Sequence, residues 1–301
     1  MKIFAIIVTY NAMHNDWIAK CLDSLKDSSA DIEPVVVDNC STDGTREYVP
    51  EKWPDVVWLP QQKNLGFGQA NNVGIRYALE HDADYVLLLN QDAVMMPDAV
   101  ENMIKAHKGQ ECILSPVQLN GTGERLDHGF HNFLRLNDGE LIEKSLLSGE
   151  LCDTYQVGMV CAACWLIPIA VVKKVGGFNP LFFHYGEDDN FYSRLKFRNI
   201  PMVLVTTAYM RHDREQHGNV SAFNKRRVYR DLMLVECDIN KRFGQRLFSR
   251  LKVLQKCYCK LLPKRQYFPG IFIFELFEIL FKLRKIKKSR KIERADGLAW
   301  L

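Results

Sequence analysis

Short apolar runs alternate with amphipathic stretches along the first part of the chain. Phe4-Ala5-Ile6-Ile7-Val8 is continuously apolar and rich in β-branched residues, which predicts a strand buried on both faces. Ile18, Cys21, Leu22 and Leu25 follow at helical spacing behind Asn15-Asp16, a pair suited to cap a helix start. The alternation continues with a strand at 34–38 and a short helix after the turn-forming Ser41-Thr42-Asp43-Gly44. A strand at 56–59, a helix from Phe67 to Glu80, a strand at 85–89 and a helix opened by Pro97 come next. Such alternation without hairpin signals predicts right-handed crossovers. The expected fold class is α/β, a Rossmann-like, mainly parallel sheet flanked by helices.

Beyond residue 118 the pattern weakens. Five glycines punctuate Asn120 to Glu150, which predicts loops or a small antiparallel excursion. Val157 to Ile167 reads as a strand, and Pro168 opens a helix that ends at Gly176-Gly177. A strand at 202–205 and a long helix over 224–243 complete the pattern. The expected organisation is one domain over 1–243, with halves at about 1–118 and 119–243, and a helical extension over 244–301.

Ligands of such sheets bind beyond the C-terminal ends of the strands. Three polar clusters fall there: Thr9-Tyr10-Asn11, Asp38-Asn39 and Asn90-Gln91-Asp92. Asp38 could accept hydrogen bonds from a nucleotide base or ribose, or it could cap its own turn; spacing favours neither. Asn64-Leu65-Gly66-Phe67-Gly68 opens a helix with two glycines, so its backbone N–H groups could meet a ribose or phosphate. It lacks the G-x-G-x-x-G spacing of a dinucleotide fold. Asp92 is the only charged candidate metal ligand in its triplet, with Asn90 able to add a neutral oxygen. Glu187-Asp188-Asp189 follows Phe182-Phe183-His184-Tyr185, and carboxylates beside apolar surface are poised as bases. His212 lies just after a strand beside Asp213, while His184 and His217 carry no stronger signal.

Charge and cysteine content sharpen two points. The net charge of +4 hides an asymmetry. Residues 240–301 hold 17 Lys or Arg against 4 Asp or Glu, a balance of +13 that leaves −9 for residues 1–239. Within this tail Glu275, Glu278, Lys282 and Lys285 make one polar stripe on an otherwise apolar helix. That pattern fits an amphipathic anchor on a membrane surface, and equally a helix docked on the domain or pairing two copies as a homodimer. Aromatic residues are not interleaved with the cations of 282–294, which speaks against nucleic acid. The nine cysteines show no zinc or disulfide spacing, which fits free thiols in a reducing cytoplasm. The N-terminal apolar run is too short for a signal peptide's core and reads better as the first strand.

Taken in order, the motifs resemble the family-2 glycosyltransferases, closest to their bacterial rhamnosyltransferase-like branch. Val8-Thr9-Tyr10-Asn11, Val37-Asp38-Asn39, Asn64-Leu65-Gly66-Phe67-Gly68, Leu89-Asn90-Gln91-Asp92, Val175-Gly176-Gly177-Phe178 and Tyr185-Gly186-Glu187-Asp188 carry the resemblance over about residues 3–215. It implies a GT-A fold and inverting transfer from a nucleoside-diphosphate sugar. Thr9, Tyr10, Asn11, Asp38, Asn39, Asn64, Gly66, Gln91 and Asp92 would contact the donor. Asp92, with His212, would bind Mg2+ or Mn2+. Asp188 would be the general base, and Glu187 would orient the acceptor. The chain departs from the family pattern at Asn90 and Asn190, where an acid is usual.

The implied function is transfer of a sugar, with dTDP-rhamnose as the leading donor, to a saccharide or lipid-linked acceptor in surface polysaccharide assembly. Location would be cytoplasmic, peripheral to the inner face of the membrane. A UDP-hexose, UDP-N-acetylhexosamine or GDP-mannose donor is the alternative within the fold. A nucleotidyltransferase would show a basic glycine-rich loop that Thr9-Tyr10-Asn11 does not supply. A sugar-nucleotide-binding protein without chemistry remains the non-enzyme alternative.

Overall fold

The computed structural model describes residues 1–213, 226–261 and 269–301. His217 and the expected helix start at Asn224 lie outside the described residues. Strands β1 (Ile3–Thr9), β2 (Glu33–Asp38), β3 (Val57–Trp58) and β4 (Tyr85–Asn90) pair in parallel in the order β3-β2-β1-β4. They are joined through α1 (Trp17–Lys26), α2 (Thr45–Lys52) and α3 (Phe67–Glu80). Side chains of β1 alternate between two cores. Phe4, Ile6 and Val8 join the face covered by α3, while Ile3, Ala5 and Ile7 join the face covered by α1. The continuous apolar run therefore marks a strand covered on both sides, as the sequence predicts.

The second half departs from a parallel sheet. It contains β5 (Ala93–Met95), α4 (Ala99–His107), β6 (Ile113–Asn120), α5 (His128–Asn137), α6 (Gly139–Ser148), β7 (Thr154–Val157), β8 (Cys164–Pro168) and α7 (Ile169–Val175). After α8 (Glu187–Phe197) the strand β9 (Met202–His212) closes the sheet. Strand β8 runs antiparallel to both β4 and β6, and β9 runs antiparallel to β5 and β7 but parallel to β6. The nine-stranded sheet is thus mixed. The mainly parallel expectation holds for the N-terminal half, where helical crossovers dictate strand direction.

Three sequence expectations need correction. The 120–150 segment holds two helices rather than loops or an antiparallel excursion. Asp127 caps α5 by accepting a hydrogen bond from Phe130 N at 2.9 Å, and Phe130 and Leu134 are buried one turn apart. Gly149 ends α6 at φ 69°. Its glycines thus fall at helix ends as well as in turns. Residues 157–167 are two strand ends joined by a turn, not one strand. The helix expected over 224–243 ends early: α9 (Arg227–Cys237) stops at Asp238, and a further helix, α10 (Phe243–Lys256), begins only where the expected one would have ended.

The C-terminal extension is built into the domain. Helix α11 (Pro269–Arg294) packs Ile279 and Ile286 against Val228, Leu232 and Met233 of α9, in a cluster that includes Phe182. Its last turns reach α8. The Glu293 carboxylate is fully buried, 3.7 Å from Arg194 Nε and 2.8 Å from Asn179 Nδ2. Arg194 itself donates to the carbonyls of Val175 and Gly177 at 2.7 and 2.6 Å. Beyond the helix, Ala299 O accepts from Gly177 N at 2.8 Å. Gly176 has φ +78°, and a Cβ there would meet Ala299 O at 2.2 Å, so only glycine fits this approach.

Removing one partner of a buried ion pair leaves the other charge uncompensated. Glu293→Ala is therefore expected to destabilise the fold by about 3–5 kcal/mol. Urea unfolding checks this; a loss comparable to a surface substitution would count against the clamp.

Candidate active site

The polar clusters converge because the strands end together. Thr9 pairs with Asp38 across β1 and β2, and Val8 pairs with Asn90 across β1 and β4. Thr9 Oγ1 donates to Asp38 Oδ1 at 3.2 Å, and Ser41 N donates to Asp38 Oδ2 at 3.2 Å. Arg46 Nε sits 3.1 Å from the same carboxylate. Thr9 and Asp38 are wholly buried, so they form the floor under the site, with Asp38 also capping its turn. Arg46 is a charge that sequence reasoning missed, since it lies on α2 with no motif around it.

Around this floor a cleft of about 410 Å³ is lined by Tyr10, Asn39, Asn64, Gly66, Gln91 and Asp92, together with Phe183 and His184. Gln91 brackets the Tyr10 backbone: Tyr10 N donates to Oε1 at 2.8 Å, and Nε2 donates to Tyr10 O at 3.3 Å. Asn39 and Asn64 lock each other, Nδ2 of Asn39 donating to Oδ1 of Asn64 at 3.0 Å. Gly66 has φ +81°, and a Cβ there would lie 2.1 Å from Phe183 O. This close approach joins the start of α3 to the segment leading into α8. Asn11 lies outside the cleft lining; its Oδ1 accepts from Thr42 N at 2.9 Å and holds the neighbouring turn.

Asp92 stands at the turn between β4 and β5. Behind it the buried His212, last residue of β9, places Nε2 3.2 Å from Asp92 Oδ1 and 3.3 Å from Asn90 Nδ2. Its Nδ1 faces the Asp127 carboxylate at 3.9 Å. Among the described residues no three His, Cys, Asp or Glu are grouped to hold a metal ion. Asn90 Oδ1 is buried and has no hydrogen-bond partner. One carboxylate and one amide oxygen suit a cation shared with ligand phosphates, not a cation caged by protein.

The acids lie across the cleft. Tyr185 at φ 64° and Gly186 at φ 95° turn the chain into α8, which puts Glu187, Asp188 and Asp189 in its first turn. Phe191, one turn on, packs against Phe178 and Trp165 with centroids 5.1 and 5.7 Å apart, anchoring the helix in the core. Burial pushes all three carboxyls above their ordinary range. Glu187 rises to about 8 and Asp189 to about 7, burial first and the Asp188 charge second. Asp188 is also raised by burial, while N–H groups of Asp189 and Ala162 hold it down. Arg230 on α9 opposes the rise at all three, and the sequence offered no signal for it. The acids line a second cavity of about 470 Å³ with Tyr185, Arg230 and Ala162. Phe67, Asn90 and His184 line both cavities, so the two meet at one junction.

Asn190, where an acid is usual in the resembled family, is buried on the back of this helix. Its amide lies within hydrogen-bonding reach of the Glu293 carboxylate. An Asp there would set two carboxylates against each other in a buried site, so the departure follows from α11. All nine cysteines are free thiols.

The sequence profile described as glycosyl transferase family 2 matches residues 4–176. The chain belongs to that family. Relatives include the rhamnosyltransferase WbbL of Escherichia coli K12, 25% identical over 74% of this chain and 87% of its own length. The N-acetylglucosaminyl-diphospho-decaprenol L-rhamnosyltransferase of Mycobacterium tuberculosis is 26% identical over 60% of this chain and 66% of its own. A low-salt glycan biosynthesis hexosyltransferase of Haloferax volcanii is 27% identical over 56% of this chain, and the chain spans about half that protein's length, 54%. Among solved structures, the mannosyltransferase PcManGT of Pyrobaculum calidifontis, in complex with GDP-Man and Mn2+, superposes with a TM-score of 0.59 at 16% identity. That match covers 97% of this chain and 86% of the other. S. aureus TarS 1–349 in complex with UDP-GlcNAc superposes at 0.57 and 17% identity, over 97% and 90%. The shared fold is GT-A.

The raised carboxyls make stability depend on pH. Glu187 and Asp189 bind protons more tightly folded than unfolded, so their contribution is complete below the ordinary carboxylate range. It is lost as pH rises through about 7 to 8. The melting temperature of the wild type is expected to fall between about pH 5 and 9, and Glu187→Gln to flatten that fall. Identical slopes by scanning fluorimetry would contradict the buried acid cluster.

Proposed function

We propose that this chain is an inverting glycosyltransferase that moves a sugar from a nucleoside diphosphate to a hydroxyl of a lipid-linked saccharide. The observation that carries the reading is the junction at Asn90, where a cleft rimmed by backbone-locking amides meets a cavity holding three raised carboxyls. Rhamnose from dTDP-rhamnose is the preferred donor, supported by the two rhamnosyltransferase relatives. The name of the Mycobacterium relative supports a polyprenyl-diphosphate acceptor, reached at the cytoplasmic face of the membrane.

In this mechanism Tyr10, Asn39, Asn64 and Gly66 hold the base and ribose above the Thr9–Asp38 floor. Asp92 and the Asn90 oxygen lie where the diphosphate would sit, with His212 orienting Asp92 from behind. A divalent cation held there would offset charge on the departing diphosphate. The acceptor oxygen attacks the anomeric carbon from the opposite side, and the sugar–phosphate C–O bond breaks. Asp188 takes the hydroxyl proton, and the nucleoside diphosphate leaves with the electron pair. Glu187 orients the acceptor, and Phe182 to Tyr185 wall its cavity. One displacement needs no second carboxylate as nucleophile, and a buried base with a raised pKa draws the proton more strongly.

Asp188→Asn is expected to lower transfer by about 10²–10⁴-fold. The rise in melting temperature with dTDP-rhamnose and Mg2+ should persist in the variant, because donor contacts lie across the junction. Near-wild-type turnover would refute the base assignment. A shift with UDP-GlcNAc or GDP-mannose and none with dTDP-rhamnose would refute the donor.

A further inference from the structure

The polar stripe of the C-terminal helix points the opposite way from a simple surface helix. Glu275, Glu278 and Lys282 face α9, not solvent. Glu275 is 1% exposed, and Glu278 pairs with Arg226 and with Lys282. Lys282 Nζ also donates to Tyr229 OH at 2.6 Å. With the polar stripe turned inward, the apolar stripe turns out. Ile273, Phe274, Phe277, Leu280 and Phe281 are all exposed, Phe281 by 85%. Their spacing puts them on one face of the helix, and Arg284, Lys287, Lys288 and Lys291 continue that face toward its C-terminal end. Isolated exposed apolar residues are ordinary, but five on one stripe mark a contact surface.

Charge decides what it contacts. The three glutamates of α11 are all engaged inward, Glu275 and Glu278 toward α9 and Glu293 toward Arg194. Among the described residues the exposed charged side chains of this helix are therefore all cations: Arg284, Lys285, Lys287, Lys288, Lys291 and Arg294. A second copy meeting this face would bring two basic rows together with no exposed acid on either helix to pair them. We propose that the outward face of α11 docks on an anionic lipid surface, its aromatic half entering the headgroup boundary and its basic half meeting lipid phosphates. No helix among the described residues is long and apolar enough to cross a membrane, so the contact lies along the surface.

The inward stripe of the same helix adjoins the acceptor side. Lys282 lines a cavity of about 250 Å³ with Phe182, Tyr185, Arg226 and Arg230, and Tyr185 and Arg230 also line the cavity of the acids. The inference deepens the lipid-linked acceptor reading, since such an acceptor would approach along the docked helix. Its test is separate from that reading.

The test uses the full chain, because the end of α11 is locked to the buried Arg194 and truncation would unfold it. Co-sedimentation is measured with phosphatidylcholine vesicles, with and without phosphatidylglycerol. The wild type is expected to bind the anionic vesicles and to release them in high salt. Phe274→Ser/Phe277→Ser/Phe281→Ser, and separately Lys287→Gln/Lys288→Gln/Lys291→Gln, should each weaken binding at least about tenfold. Both variants should keep the wild-type melting temperature and donor-induced shift, because every changed side chain points outward. The proposal is overturned if the wild type ignores anionic vesicles, if it binds neutral ones equally, or if the aromatic variant binds as the wild type does. A wild-type dimer in light scattering that the aromatic variant converts to monomer, with vesicle binding unchanged, would assign the face to a second copy. A donor shift that persists through any of these outcomes leaves the glycosyltransferase reading standing.

Discussion

The buried Arg194–Glu293 pair holds the rest of the site in place. Arg194 sits on the acid-bearing helix α8, reaches the Val175 and Gly177 carbonyls, and meets a carboxylate delivered from a helix nearly a hundred residues later. Two charges taken wholly out of water need good geometry and further hydrogen bonds, and Asn179 and Asn190 supply them on the Glu293 side. The result is a helix fixed from behind while its first turn faces a cavity.

That fixation matters because the front of α8 is electrostatically unfavourable. Three adjacent carboxyls with little solvent would relax apart if the helix could shift. Held in place, they lie above their ordinary range, with Arg230 limiting the rise. The opposite wall needs no such tension. There the amides of Asn39, Asn64 and Gln91 satisfy backbone groups and one another, a neutral frame suited to a nucleotide whose own charge lies at the diphosphate.

The tail links both halves of this arrangement to the surface. Its acids are engaged on the inward side, with Glu275 and Glu293 buried, while one row of aromatic, aliphatic and basic side chains is left outside. One helix thus serves as a clamp for α8 and as a candidate contact with lipid. Those roles are compatible because they use opposite faces.

Much of the fold was legible in the chain. Continuous apolar runs marked β1, β2 and β4 because strands covered on both faces bury every side chain, and the polar clusters at their ends marked one side of the cleft. The ordered motifs identified the family, and Gly176 and Gly186 stood where the backbone needs positive φ. Period and spacing are local properties, so they survive without the fold. What they could not reveal depended on partners distant in sequence. Strand direction around β8, the helices over 128–148, Arg46 under the floor and Arg230 beside the acids were set by tertiary packing. The polar stripe of α11 left anchor and docked helix both open until Arg226 and Tyr229, at the start of α9, met it. Asn190 looked like a lost acid until Glu293 arrived from the far end of the chain. Local periodicity can identify a face of a helix, but only the neighbour packed against it decides whether that face turns in or out.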